Sequence, residues 1–341
     1  MKQLRAAIRA ISSYLPTGRL TNDDLAREYG DWDAAKILDK TGIATRGIAA
    51  PEECASDLGV AAAQRLFESG ACRPDEVDFL LFCTQSPDYF LPTTACLVQD
   101  RLGLRRDCGA LDFNLGCSGF VYGLGLAKGL IESGAAASVL LITAETYSKF
   151  IHPRDRSVRA IFGDGAAATL VAGVASEADL LGPFVFGTDG RGAHNLIVPV
   201  GGMRRRPSPQ DAIATEREGG NWRSDSNLFM NGPEILSFTL SAVPKAVRSL
   251  LEAWHRPIDD VDYFVFHQAN KFMLEKLRAK LGIADEKFWL SLESCGNTVS
   301  ATIPIGLEGA LAQGRIRSGS SVMLVGFGVG YSWAAAIATI A

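Results

Sequence analysis

The 341-residue chain lacks a surplus of charge of either sign: 34 Lys and Arg stand against 38 Asp and Glu, for a formal net charge of −4. Without a basic excess to neutralise phosphates, bulk nucleic-acid binding is disfavoured. The opening residues, MKQLRAAIRAISSYLP, hold no long apolar run and no small-residue cleavage site. A secretory leader is therefore not expected, and the cytoplasm is the expected compartment. Seven cysteines (Cys54, Cys72, Cys83, Cys96, Cys108, Cys117 and Cys295) are scattered and never fall in a C-x-x-C spacing, which argues against a disulfide framework or a zinc site. No Gly-x-Ser-x-Gly elbow surrounds any serine, so a serine hydrolase has little support. The one long uncharged stretch, residues 321–341, has the length of a membrane span. Gly326, Gly328 and Gly330 cut it into VMLV and YSWAAAIATI, so two buried strands joined by a turn are expected and no membrane contact. The same glycines do not read as a dinucleotide-binding turn, because no helix follows them.

What the chain does have is enough apolar material, 47% of its residues, to build a large core. Strand-like runs at 78–82 (DFLLF), 138–142 (SVLLI), 263–266 (YFVF) and 322–325 (VMLV) alternate with helical patterns at 57–69, 93–102, 117–132, 232–254, 270–281 and 299–313. This alternation predicts an α/β protein with buried sheets. Residues 188–227, rich in Gly, Pro, Arg and Ser, read as a surface loop.

A long-period repeat organises the chain. Residues 73–85, RPDEVDFLLFCTQ, resemble residues 256–268, RPIDDVDYFVFHQ, and SGAAASVLLI (133–142) resembles SGSSVMLVGF (318–327). Two copies of one α/β unit follow, 1–175 and 176–341, with an active site expected where corresponding strand ends converge. Superposing the copies places Cys117, in NLGCSGF, beside Asn297, in CGNTVSATIP, each opening a helix after a Gly-rich turn. A cysteine there feels the positive end of the helix dipole, which predicts a stabilised thiolate and a nucleophile. His267, delivered by the strand DYFVF into a polar turn, can polarise a carbonyl or exchange protons, although a lone histidine is commonly a satisfied core residue. Asn297 can donate to a developing oxyanion, although Gly-Asn-Thr also suits an ordinary turn or cap.

Taken together, GCSGF, IFGDGA, HQAN, GNTVSATIP and GFGVGYSW, in this order and spacing, resemble the β-ketoacyl-acyl-carrier-protein synthase III family over essentially the whole chain from TGIATR onward. The resemblance implies a thiolase-like fold, two duplicated βαβαβ halves in a five-layer αβαβα arrangement, usually as a homodimer. It implies that Cys117 takes an acyl group from acyl-coenzyme A as a thioester, and that His267 and Asn297 bind the malonyl thioester carbonyl during decarboxylation. An oxyanion hole of the Cys117 and Val329 backbone N–H groups is implied too, and no metal or redox cofactor. Where the best-known members sandwich the coenzyme adenine between Trp and Arg, this chain places Lys36 and Lys40, which cannot supply the same stack. Arg156 matches a family arginine at the coenzyme site. Leu91 aligns with the residue that closes the acyl pocket from the opposite subunit in acetyl-selective members, so the starter group can differ from acetyl. Lys271, Lys276 and Arg278, on the helix after HQAN, suit docking of an acidic acyl carrier protein. The expectation is therefore a decarboxylative condensing enzyme. Its alternatives are a specialised relative handling a non-acetyl group in lipid, polysaccharide or natural-product assembly, and a non-catalytic partner subunit.

Overall fold

The computed structural model describes residues 4–341. Nine strands build two sheets, one in each half of the chain. The first comprises β1 (Leu4–Tyr14), β2 (Phe79–Cys83), β3 (Gly109–Phe113), β4 (Ser138–Glu145) and β5 (Gly165–Ala175), in the order β1-β5-β4-β2-β3. The second comprises β6 (Leu181–Thr188), β7 (Tyr263–Phe266), β8 (Ser321–Gly328) and β9 (Ser332–Thr339), in the order β6-β9-β8-β7. Strands β2 and β4 run parallel, as do β7 and β8; β5 returns antiparallel on β4, and β9 does so on β8. The two sheets thus repeat one pattern. An isolated parallel bridge between Phe264 and Phe288 stands where the second sheet would carry its counterpart of β3.

The strands are continuous apolar runs because both faces of each sheet are covered. Between the sheets lie α5 (Gly119–Glu132) and α8 (Thr302–Ala312), whose Phe120, Leu124, Ile131, Ile303 and Leu307 join Leu141 of one sheet and Leu324 of the other in a single buried cluster. Outside the first sheet pack α3 (Ala55–Glu68) and α4 (Thr94–Arg101), through Leu58, Leu66 and Val98 against Leu80 and Ile142. Outside the second pack α6 (Gly232–Trp254) and α7 (Lys271–Leu281), through Val247, Leu250 and Leu274 against Phe264, Met323 and Val325. The result is five layers, αβαβα. Each such fully buried Leu or Phe contributes about 1.5–3 kcal/mol, so the apolar faces of the central α5–α8 layer lock the two halves together. Two short helices, α1 (Asn22–Tyr29) and α2 (Ala34–Thr41), pack on each other, and α2 also contacts α7 of the second half.

Strand and helix positions agree with the sequence reading, with small shifts at the turns that carry Cys117 and Asn297. Helix α5 starts at Gly119 and α8 at Thr302, after a single 3-10 turn over Val299–Ala301. The segment 188–227 is largely irregular, but it contains a small antiparallel pair, Thr215–Arg217 with Asn221–Arg223. No helix among the described residues is long and apolar enough to cross a membrane, and Ser321–Gly328 and Ser332–Thr339 pair as neighbouring strands.

Candidate functional site

One cavity of about 670 Å³ brings together Cys117, His267 and Asn297, with Phe327 and Gly328 beside them. Its walls are mostly apolar, including Ile161, Phe162, Leu196, Ile235 and Met273, and it reaches the exposed Lys40 and Phe272.

Cys117 sits in the turn between β3 and α5, clamped by the second half. A Cβ built on Gly328 would lie 2.8 Å from the Cys117 sulfur, and one on Gly326 would lie 2.7 Å from the Cys117 carbonyl oxygen. Glycine is therefore required at both places, which accounts for the GFG spacing. Ser118 and Ser332 add a hydroxyl–hydroxyl contact of 2.6 Å across the halves. The expectation of a stabilised thiolate does not hold in the resting site. Burial first, then the nearby Glu145 carboxyl, pushes the Cys117 thiol up to about 12, and the backbone N–H groups of Cys117 and Val329 only partly offset this. Desolvation outweighs the dipole here because the sulfur is cut off from water. Those same two N–H groups are the pair expected to form the oxyanion hole.

His267 continues β7 by one residue, its N–H donating to the Val325 carbonyl at 2.8 Å. Its Nδ1 lies 2.7 Å from Thr302 Oγ1, whose hydroxyl also reaches the Val299 carbonyl at 3.0 Å. Burial pushes the imidazole down to about 3, with a contact to the Val299 carbonyl opposing, so the ring is neutral at working pH. The other residues of HQAN are scaffold. Gln268, buried, donates to the Phe266 and Trp289 carbonyls and accepts from the Ser291 N–H, while Asn270 caps α7 through the Met273 N–H.

Asn297 is tied to the IFGDGA segment by its backbone: its N–H donates to the Ile161 carbonyl at 2.9 Å, and its carbonyl accepts from Gly163 N–H at 3.0 Å. Its Oδ1 accepts from the Val299 N–H at 2.9 Å and its Nδ2 donates to the Ala269 carbonyl at 3.4 Å, which leaves one N–H of the amide as the donor for a ligand. Asp164, in the same segment, braces the Ala49 and Ser148 N–H groups, and the buried Arg46 of TGIATR reaches the Ile43 and Ala160 carbonyls. Two of the recognisable motifs are thus structural, and burial accounts for both.

The remaining sequence candidates are spread around the mouth. Lys36 is exposed on α2, whereas Lys40 lines the cavity. Arg156 lies 4.7 Å from the Tyr29 ring and 5.8 Å from the Trp32 ring, and pairs with Asp31 at 2.8 Å. The aromatic surface beside this arginine comes from Trp32 and Tyr29, four and seven residues before Lys36. On α7, Lys271 faces Glu275 at 3.9 Å, Lys276 lies over Phe272, and Arg278 is held by Asp285 at 3.4 Å. Leu91 is 87% exposed, flanked by exposed Tyr89 and Phe90.

Sequence reasoning also missed Glu145. It is fully buried, accepts from Ser300 Oγ at 2.7 Å, Gln85 N–H at 3.0 Å and Ser86 Oγ at 3.2 Å, and burial pushes its carboxyl up to about 8. The available signal was a carboxylate ending the otherwise uncharged strand SVLLITAE, because an unpaired charge at a buried strand end is costly and needs a reason.

Comparison with known proteins follows this geometry. Residues 111–190 match the family model described as 3-Oxoacyl-[acyl-carrier-protein (ACP)] synthase III, and residues 251–340 match the C-terminal model of the same family. The chain is 35% identical over 98% of both chains to a Beta-ketoacyl-[acyl-carrier-protein] synthase III of Caldanaerobacter subterraneus. Among solved structures, a 3-oxoacyl-(acyl-carrier-protein) synthase III at 55% identity superposes with a TM-score of 0.97, covering 98% of this chain and 100% of the other. A 3-oxoacyl-(acyl-carrier protein) synthase from Burkholderia xenovorans, 38% identical, does so with a TM-score of 0.90, covering 100% of this chain and 95% of that one. The two halves, the paired sheets and the Cys117 turn are those of a thiolase-like condensing fold, and this chain belongs to the 3-oxoacyl-[acyl-carrier-protein] synthase III family.

Proposed function

We propose that this chain catalyses a decarboxylative Claisen condensation of an acyl-coenzyme A starter with a malonyl-carrier protein, through an acyl group carried on Cys117. The observation that carries the assignment of roles is the single cavity lined by Cys117, His267 and Asn297, with the Cys117 and Val329 N–H groups directed at the sulfur. In the first half-reaction the Cys117 sulfur bonds to the acyl carbonyl carbon and the carbon–sulfur bond to coenzyme A breaks. The thiol proton passes to the departing coenzyme A thiolate, while the two N–H groups hold the carbonyl oxygen. In the second, the malonyl carbon–carboxylate bond breaks and carbon dioxide leaves. The electron pair becomes an enolate whose oxygen takes hydrogen bonds from His267 and Asn297 Nδ2. The enolate carbon then attacks the acyl carbonyl, and Cys117 is released as the thiol after protonation. No metal or redox cofactor takes part.

The largely apolar cavity suits the pantetheine arm that coenzyme A and carrier protein share. At its mouth, Arg156 with Trp32 and Tyr29 offers a charged and aromatic frame for the coenzyme nucleotide, with Lys40 nearby for phosphate. Lys271 and Lys276 offer positive charge to an acidic carrier protein, whereas Arg278 is engaged by Asp285. A second copy of the chain covers the exposed Tyr89–Leu91 loop as a homodimer. The cytoplasm, where both thioester substrates occur, is the compartment this reading requires.

The test is intact-protein mass after incubation with a panel of acyl-coenzyme A thioesters, followed by addition of malonyl-carrier protein. An acyl mass on the parent protein and not on Cys117→Ala, then carbon dioxide release, is expected. Acyl transfer without carbon dioxide would overturn the condensation assignment, and no adduct from coenzyme A or carrier thioesters would favour a non-catalytic subunit.

A further inference from the structure

The nucleophile and the decarboxylation pair belong to different halves of the chain, so something must fix one against the other. Val299 is central to the second group. Its N–H holds Asn297 Oδ1 at 2.9 Å, and its carbonyl takes the Thr302 hydroxyl that faces His267 Nδ1. Yet Val299 has φ +56°, a left-handed conformation that a β-branched residue avoids, and it is fully buried. Such a residue stays there only where its surroundings over-determine it.

The adjacent contact that does so comes from the other half. Ser300 Oγ donates to Glu145 Oε1 at 2.7 Å, and Glu145 Oε2 accepts from Gln85 N–H at 3.0 Å and Ser86 Oγ at 3.2 Å, with Thr84 Oγ1 at 3.5 Å. Glu145 closes β4, and residues 84–86 follow β2, so the carboxyl gathers two strand ends of the first sheet and one turn of the second half. The geometry points to Glu145 and Ser300 as a positioning pair that holds the Val299 turn, and through it His267 and Asn297, in register with Cys117. The inference rests on the condensing reaction proposed above and adds to it two residues that touch no substrate.

The buried Glu145 is opposed by Cys83, Cys117 and Tyr147, whose thiols and phenol lie close enough for its charge to raise them further. A neutral group at this position keeps the latch without that charge. Glu145→Gln meets the requirement: its amide oxygen accepts from Gln85 N–H, and its NH₂ donates to Ser300 Oγ, which reverses its role.

The two half-reactions separate the latch from general structure. In Ser300→Ala, acylation of Cys117 by acyl-coenzyme A, read by mass, stays within about threefold of the parent, and in Glu145→Ala it does not fall, because removing the carboxyl only relieves the Cys117 thiol. Decarboxylation of malonyl thioester falls at least about tenfold, with kcat carrying the loss and KM changing little. Glu145→Gln recovers most of the decarboxylation rate. Equal losses in both half-reactions, or an undisturbed decarboxylation in Ser300→Ala, would overturn the latch. Circular dichroism and melting curves identify a variant that has failed to fold, and Ser300→Ala, the smaller change, then decides. A parent protein that neither acquires acyl mass nor releases carbon dioxide would instead overturn the condensing reading itself.

Discussion

Thr302 Oγ1 stands 2.7 Å from His267 Nδ1 and 3.0 Å from the Val299 carbonyl, so one hydroxyl proton serves two acceptors. When it points to Val299, the imidazole carries its proton on Nδ1 and donates it to Thr302 Oγ1. When it points to Nδ1, Nε2 keeps the proton and donates to a carbonyl or enolate. The direction of this hydroxyl thus biases which ring nitrogen carries the proton, and the tautomer that donates from Nε2 is the one the enolate contact of the proposed reaction uses.

Thr302→Val keeps the shape and removes this hydroxyl. Leaving the buried Nδ1 without its partner costs about 1–3 kcal/mol, so overall turnover is expected to drop roughly ten- to a hundredfold. Thr302→Ser should retain most of it. Steady-state release of carbon dioxide from malonyl-carrier protein is the measurement, and a Val variant as fast as the Ser variant would mean the hydroxyl takes no part.

His267 also leaves a signature in stability. Its folded-state value is depressed from 6.5 to about 3 by burial. Below pH 6.5 the unfolded chain takes up a proton that the native imidazole refuses, so stability is withdrawn as pH falls from about 6.5 toward 3, at about 1.4 kcal/mol per unit. Above that window the residue adds no slope. Urea denaturation at pH 7 and pH 5.5 should show the parent losing more than His267→Asn by about 1.4 kcal/mol, and equal losses would mean the ring is hydrated.

Much of this architecture was legible because it is written in periodicity. DFLLF, SVLLI, YFVF and VMLV became β2, β4, β7 and β8, since a strand covered on both faces must be apolar throughout. The duplication was legible for the same reason, and it places Cys83 at the strand end where the second half has His267. Cys117, His267 and Asn297 could be picked out because each stands where an apolar element meets a Gly-rich or polar turn. The thiol's protonation state could not, because it depends on how completely the second half covers the sulfur, which Gly326 and Gly328 decide only once folded. Trp32 was hidden by its place in a loop, where spacing relative to α2 is not fixed by helical geometry. Thr302 and Ser300 are unremarkable in sequence, because their roles arise from the left-handed turn at Val299.

The loop Tyr89–Leu91 exposes three large apolar side chains, at 62%, 75% and 87%. Exposed apolar clusters of this kind are characteristic of association sites. Sedimentation equilibrium is expected to show a dimer for the parent and a dissociation constant raised at least about tenfold for Leu91→Asp. Because Leu91 has little to lose in its own subunit, the monomer should keep its circular dichroism spectrum. A Leu91→Asp protein that associates as tightly as the parent would remove this loop from the interface.

Coenzyme recognition gives a contrast between neighbouring residues. Arg156 lies against the Tyr29 and Trp32 rings and pairs with Asp31, a charged and aromatic surface beside the cavity mouth, whereas Lys36 is exposed on α2. Stacking on an aromatic or guanidinium plane is worth about 1–3 kcal/mol per base. Trp32→Ala is therefore expected to raise KM for acyl-coenzyme A roughly five- to a hundredfold, while KM for the corresponding acyl-pantetheine, which lacks the nucleotide, stays unchanged. Lys36→Ala should alter neither by more than about twofold, since an exposed lysine binds phosphate only through a screened charge. If Trp32→Ala weakened both donors equally, the residue would be shaping the tunnel rather than meeting the nucleotide. If Lys36→Ala gave the larger effect on acyl-coenzyme A, the adenine frame would have to be sought on α2.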